Sequence, residues 1–483
     1  MKCFIVPMHP LTTGCRLVNP SIRQEGPGGF PERTRLPDVL NLFCIMFSDA
    51  WTFVSKLMPG IGIEHLPGKH SHELTVLTGI GSVLWKTLSS RKQRLSKRKK
   101  TVNYSKLTSQ PLLFLISFAV GLICSQSIRA QTYHEITPVA DAEGFAAPYV
   151  GVSNGSLIIA GGANFPNEPR WETDKVWYDS IYILKSPEGR WKKSKSKLPR
   201  PLAYGLSFNL AEADKLLAED VPHGVLCIGG GDSQQHVSDC FVLSLDRGRV
   251  TTTPLPALPT PLANGTGVYH QGVVYVLGGL AAPTAKRPAD GFYKLDLTHA
   301  KSTRQWESLT TWPGNPRMLA IAGIIENSLF LFSGTDLIED DAGTVNRKYL
   351  TDGFRFDLAS GKWSKTAALP RPAVAAPTPA ITQGNSLLIV SGDHGKYAAQ
   401  TDTLKDNHPG FPASVLAYNA AEDSWGEANP FPKAVGNDPA NDPHAGLWPP
   451  VVTNLTQWHG HTILACGEVR PRVRSRRVFM IKP

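Results

Sequence analysis

Cysteine is scarce in this chain. Seven occur among 483 residues, and four of them (Cys3, Cys15, Cys44 and Cys124) precede residue 131. That scarcity excludes a disulfide framework, and none of the seven shows C-x-x-C or Cys/His metal spacing, so no metal is expected. The remaining three lie in apolar runs, GVLCIGG at Cys227, SDCFVLS at Cys240 and TILACGE at Cys466, and read as small buried hydrophobes. A Cys227–Cys240 bridge across adjacent strands is the alternative. Acidic residues are absent from Arg91–Lys100, which holds seven basic ones, so most of the formal charge of +10 is one local run. A single such run gives no reason to expect a nucleic-acid partner and is more typical of a targeting segment.

The apolar segment Pro111–Cys124 is about 14 residues long, short of the roughly 20 that cross a bilayer as a helix. Basic residues from Lys97 to Lys106 precede it and SQSIRAQ follows, with the small Ala130 before Gln131. That order is the order of a signal peptide. The expected division is therefore 1–110 as an N-terminal extension, 111–130 as the signal core and cleavage region, and 131–483 as the folded protein. The mature chain is expected to begin near Gln131, periplasmic or secreted, with no membrane span after cleavage. Ile123 stands where a lipoprotein site requires a small residue, which argues against lipidation at Cys124. Because signals act at N-termini, the expected start lies downstream of Met1. No Met occurs between Met58 and Met318, so that start would use another codon, at a position such as Val102 or Leu107.

Glycine and proline are plentiful, 43 and 39 residues, as suits many short strands. From Gly151 onward the chain repeats itself at about 50–60 residues. An apolar run ends in Gly-Gly or a variant in LIIAGGANF, GVLCIGGGD, VVYVLGGL, LFLFSGTD, LLIVSGDHG and TILACGEVR, which makes six. An aromatic-rich strand and usually a Trp follow (Trp191, Trp306, Trp363, Trp425), then a crossing such as LPRPLAYG or LPTPLANG. This is kelch-type periodicity, and it predicts an all-β, six-bladed β-propeller. The sixth unit stops at RRVFMIKP without its outer strand. YHEITPVA from Tyr133 is expected to supply it and close the ring.

In such a scaffold the candidate site is the mouth of the central channel, at the loops after the glycine motifs. Those loops carry Asn164, Asp232, Asp336, Asp393, His394 and the run GEVRPRVR from Gly467 to Arg474. A carboxylate at Glu468 followed by Arg470, Arg472 and Arg474 builds either an anion site with a base beside it or a solvated loop of surface ion pairs. His394 is either ligand-facing or a turn residue.

GE-x-[KR]-P-x-x-R, here Gly467 to Arg474, together with AGGANFP and W-x-D-x-I-Y-x-L near the start, resembles the N-acetylneuraminate epimerase (sialic acid mutarotase) family, in its cyclically permuted branch. The similarity runs from Tyr133 to Pro483, with one departure: Arg472 stands where the family usually has Gly. The resemblance implies a cofactor-free isomerase that interconverts the anomers of sialic acid, with Glu468 as proton acceptor and Arg474 in the same site. Arg470, Asn164, Asp393 and His394 would contact substrate. Two other readings stand beside it, an exported kelch module that binds carbohydrate or protein without catalysis, and a different sugar enzyme. The S-x-D-x-G-x-x-W boxes of sialidases are absent, and the few cysteines lie in strand-like runs rather than in the Tyr/Cys/His set of a copper radical oxidase.

Overall fold

Strands that are apolar at nearly every position have to be covered on both faces, and four of the second strands of the repeat are of this kind: Ser156–Ala160, Gly224–Ile228, Ser328–Phe332 and Ser386–Val390 are buried throughout. A computed structural model describes residues 131–436, 442 and 444–482. In it these strands stand inside six four-stranded antiparallel sheets, the blades of a β-propeller. The expected extension and signal segment, residues 1–130, lie outside the described residues.

Blade 1 consists of Tyr149–Ser153, Ser156–Ala160, Ser180–Leu184 and Lys192–Lys197, in that order from the axis outward. Blades 2 to 5 repeat the pattern, with first strands Leu206–Leu210, Thr266–His270, Ile321–Ile325 and Ile381–Gln383. Blade 6 takes Leu455–Trp458, His461–Ala465 and Val478–Lys482 from the C-terminal end and Thr132–Ile136 from the other. Thr132 pairs with Lys482 and Ile136 with Val478, so the outer strand expected from YHEITPVA does close the ring.

The core is six interfaces between blades rather than one centre. Between blades 1 and 2, for example, Tyr149, Ile158 and Ile181 meet Val225, Cys227 and Phe241. The outer-strand tryptophans sew neighbours together. Trp191, Trp306, Trp363 and Trp425 donate their indole N–H to the backbone carbonyls of Thr137, Pro256, Thr310 and Ala367, at 2.7–2.9 Å. Each carbonyl lies 50 to 58 residues earlier, one repeat back. Cys227, Cys240 and Cys466 are buried and free, which removes the bridge alternative. Cys227 faces Phe241 and Cys240 faces Ile228 in the ladder, so the two are not cross-strand partners.

Strand direction makes the two ends of the channel different. At the lower end, first and second strands join through two-residue turns such as Asn154-Gly155, Gln271-Gly272 and His459-Gly460, all with positive φ. This is the turn twist that suits a tight hairpin. At the upper end the chain makes the glycine turn instead. Both of its residues have positive φ in all six blades, from Gly161 (68°) and Gly162 (97°) to Cys466 (60°) and Gly467 (99°). A Cβ at Gly161 would lie 2.3 Å from the Leu202 carbonyl oxygen, which is why glycine recurs there. Cys466 therefore lies just past its strand, at a turn position that three blades fill with glycine.

Candidate functional site

The upper mouth is built around a closed circle of backbone hydrogen bonds. Ala147, Tyr204, Asn264, Leu319, Ala375 and Val452, one residue per blade, each donate N–H to the carbonyl of the preceding member at 2.7–3.1 Å. All six have φ between 52° and 66°, a conformation that costs a non-glycine residue roughly 1–2 kcal/mol. The strain is offset because twelve peptide groups that would otherwise face the channel unpaired satisfy one another.

The residue before each ring member pairs across to the residue that follows the glycine turn. These bridges join Ala146 to Ala163, Ala203 to Gly231, Ala263 to Leu280, Met318 to Thr335, Val374 to Asp393 and Val451 to Glu468. Six equivalent positions therefore encircle the mouth, and two of them are acidic. They belong to adjacent blades, Asp393 to blade 5 and Glu468 to blade 6.

Glu468 opens a short hairpin of Glu468–Arg470 and Val473–Arg474, in which Glu468 is the register partner of Arg474. The pairing brings Arg474 Nη1 within 3.0 Å of Glu468 Oε2, with the guanidinium 2% and the carboxylate 21% exposed. The approach is an ion pair rather than an aligned hydrogen bond, since Nη1 has no hydrogen-bond partner. Arg474 Nε instead donates to the Ala163 carbonyl at 3.3 Å, which ties the hairpin to blade 1. The partly buried carboxylate is thus held through Oε2 by the buried guanidinium.

Arg470 is fully buried, with its guanidinium 5.0 Å from the Trp448 ring centroid and Nη1 donating to the Asp406 carbonyl at 2.5 Å. Burial lowers its pKa, with nearby Asp406 working the other way. Arg472 spends Nη1 on the Arg170 carbonyl at 3.0 Å and stacks over Phe165 and Trp171. Its φ of 63° shows that the position where the family usually has Gly keeps a glycine-like backbone.

Asp393 accepts from the Tyr349 hydroxyl at 2.8 Å and from the Gly395 N–H at 2.8 Å. Burial first, and then Asp393, push the Tyr349 pKa up to about 12. His394 is a turn residue whose Nδ1 accepts from Lys396 N–H at 3.3 Å, and burial lowers its pKa. Asn164 is 1% exposed and spent on backbone: Nδ2 donates to the Gly144 carbonyl and Oδ1 accepts from Phe165 N–H. Asp336 accepts from Asn315 and Leu337, and Asp232 accepts from Gln234 and Gln235, both as turn or packing groups. The structure therefore brings Glu468, Arg474 and Asp393 to one mouth, and places Asn164 and Arg470 beneath it as supports.

Sequence reasoning did not single out Tyr349 or Lys175, and met Trp177 only as the first residue of W-x-D-x-I-Y-x-L. All three come from the far ends of the loops after the glycine turn, and only the starts of those loops carry a repeated motif. Among the described residues no group of His, Cys, Asp and Glu is placed to hold a metal ion, and no helix is long and apolar enough to cross a membrane.

The family model described as N-acetylneuraminate epimerase matches residues 255–481, which hold blades 3 to 5 and all of blade 6 but its outer strand. Curated relatives carry the same name. One from Salmonella arizonae is 27% identical over 217 residues, 40% of this chain and 53% of the relative. One from Salmonella typhimurium is 26% identical over the same shares. An N-acetylneuraminate epimerase 1 from Escherichia coli O6:H1 is 23% identical over 206 residues, 38% of this chain and 52% of the relative. The chain spans about half the length of the curated relatives it matches. Over this stretch it is similar to the N-acetylneuraminate epimerase family, and Glu468, Arg470, Arg474, Asp393 and His394 all fall within the matched residues.

Proposed function

We propose that this protein is an isomerase that interconverts the anomers of N-acetylneuraminate, with Glu468 as general base. The observation that carries the reading is the Glu468–Arg474 pair at the channel mouth, a partly exposed carboxylate held at Oε2 by a buried guanidinium. Mutarotation needs little more than this. The base removes the proton of the anomeric hydroxyl, the bond from the anomeric carbon to the ring oxygen breaks, and that oxygen takes up a proton from solvent. A ketone results. After rotation about the adjacent carbon–carbon bond the same steps run backwards and the ring closes on the other face. No electrons change hands and no group leaves, so acid–base groups suffice. Arg474 keeps the carboxylate oriented, and Asp393 with Tyr349 lines the neighbouring arc of the mouth. The apolar segment before Gln131 supports a periplasmic or secreted place of action.

Exchange NMR of free N-acetylneuraminate with the purified protein tests this directly. The parent is expected to broaden or exchange the anomeric signals, and Glu468→Gln, which keeps size and hydrogen-bonding capacity, to slow exchange by about 10²–10⁴-fold. Parental exchange in Glu468→Gln would remove Glu468 from the mechanism. No exchange by the parent would remove the activity.

A further inference from the structure

An anionic sugar that reaches Glu468 meets a carboxylate, and the arginines nearby are already committed. Arg474 is paired with Glu468 and the Ala163 carbonyl, Arg470 donates to Asp406, and Arg472 donates to Arg170. Lys175, on the blade 1 side of the same mouth, is not committed. Its Nζ lies 5.6 Å from the ring centroid of Phe165, 5.4 Å from that of Trp177 and 5.0 Å from that of Tyr204. It has neither a hydrogen bond nor an ion pair to any described residue.

Its place in the site follows from its neighbours. Tyr204 is a member of the backbone ring, and both it and Trp177 pack against the cluster of Ala147, another member, with Ala163 and Ala203. Trp177 is also the register partner of Ala163, whose carbonyl receives Arg474. Phe165 carries the Arg472 guanidinium at 4.7 Å, the Arg474 guanidinium at 5.3 Å and the Lys175 ammonium at 5.6 Å, so three cations share one ring. A second donor beside Lys175 is unspent, because the buried Trp177 Nε1 has no hydrogen-bond partner. A lone ammonium needs no cage of three rings to stay solvated, and an orphaned indole N–H is costly in a protein interior. Both conditions are relieved at once by an anion.

We propose that Lys175, assisted by the Trp177 indole N–H, is the clamp for the carboxylate of the sugar acid. The assignment rests on the mutarotase reading for the identity of its ligand, and it lies in blade 1, outside the stretch 255–481. It divides the labour at the mouth: blade 6 supplies the base and blade 1 the counter-charge that makes the site prefer acids over neutral sugars. Charge-assisted contacts of this sort are strong enough that removing one weakens binding by about 10–100-fold.

The test titrates the full chain and Lys175→Met with N-acetylneuraminate and with its methyl ester, which lacks the charge. The parent is expected to favour the acid. Lys175→Met is expected to lose about 10–100-fold of acid affinity and little of ester affinity, with kcat changed less than KM. Unchanged acid binding in Lys175→Met, or equal losses for acid and ester, overturns the proposal and leaves Lys175 as a packing residue over three rings. A second readout does not depend on the sugar or on the folding of Lys175→Met. The ¹⁵N signal of the Trp177 indole, assigned with Trp177→Phe, is expected to shift when pyruvate is added to the parent. If the parent binds neither sugar, the mutarotase reading fails, and the pyruvate titration alone then decides the clamp: a saturable indole shift supports it and a flat titration overturns it.

Discussion

The two mouths of the channel are made by the same first and second strands, yet they differ in nearly every chemical respect. The lower one is lined by Phe208, Val268, Ile324, Ile381 and Leu455 with scattered Thr and Asn side chains, around a cavity of about 340 Å³. The upper one carries Glu468, Arg474, Asp393, Tyr349 and Lys175. Connection length accounts for the contrast. At five of the six blades the lower turns take two residues, leaving no chain to carry function, while the upper connections run from the glycine turn through segments as long as 393–414. Only the upper end also has the backbone ring, which narrows the channel beneath the charged groups to a cavity of about 40 Å³. A polar site thus sits on a floor whose own polar groups are already satisfied.

The comparison presumes a closed ring of blades, and opening that ring has the largest expected effect. Deleting Tyr133–Val139 removes the outer strand of blade 6 together with the buried Ile136 and Val139. Those two side chains alone account for about 3–6 kcal/mol. Thermal melting should show a fall of many degrees, and an unchanged melting temperature would contradict the closure. Next comes the floor of the upper mouth. Ala375→Pro deletes the N–H given to the Leu319 carbonyl and cannot reach a φ of 60°, so a loss of at least about 3 kcal/mol is expected in denaturant titrations. The matching change at the lower end, Asn154→Gly in a turn with φ of 47°, should move stability by about 1 kcal/mol or less. Comparable losses from both would erase the distinction between strained floor and simple turn.

Acid should act locally on the upper end. Burial lowers the pKa of His394 and of His408 below the ordinary 6.5, so the native segment resists protons that the unfolded chain accepts. The stability these residues contribute is present above pH 6.5 and is lost as pH falls below it. Hydrogen exchange at residues 397–411 should quicken on acidification. His408→Asn, which keeps an acceptor for the Gly410 N–H, should flatten that dependence. The smallest effect belongs to the lower mouth. Thr456 is 6% exposed and its hydroxyl has no partner, so Thr456→Val should leave stability equal or up to about 1 kcal/mol higher and anomer exchange untouched. Slower exchange in that variant would show that the two mouths communicate.

Much of this architecture was legible in the residues. Six glycine-terminated apolar runs specify six inner strands, because a strand buried on both faces has to be apolar at nearly every position and a double positive-φ turn favours glycine. The missing outer strand of the sixth unit pointed to Tyr133, since an open edge needs a partner. Glu468 and Arg474 were also visible, because both lie in one short motif that a hairpin brings into register. What local sequence could not decide was which polar side chains are spent. Asn164 and Arg470 look like ligands in a string of letters. Their partners, the Gly144 and Asp406 carbonyls, are 20 and 64 residues away and are met only when loops from different parts of the chain converge. The backbone ring is beyond sequence for the same reason. Ala147, Tyr204, Asn264, Leu319, Ala375 and Val452 are of five residue types, and their common left-handed backbone is imposed by six blades closing on one axis. Lys175 is one more lysine until Phe165, Trp177 and Tyr204 are placed around it. Periodicity sets strands because it acts between near neighbours, whereas the chemistry of the mouth depends on which distant groups have already found one another, and only the closed ring decides that.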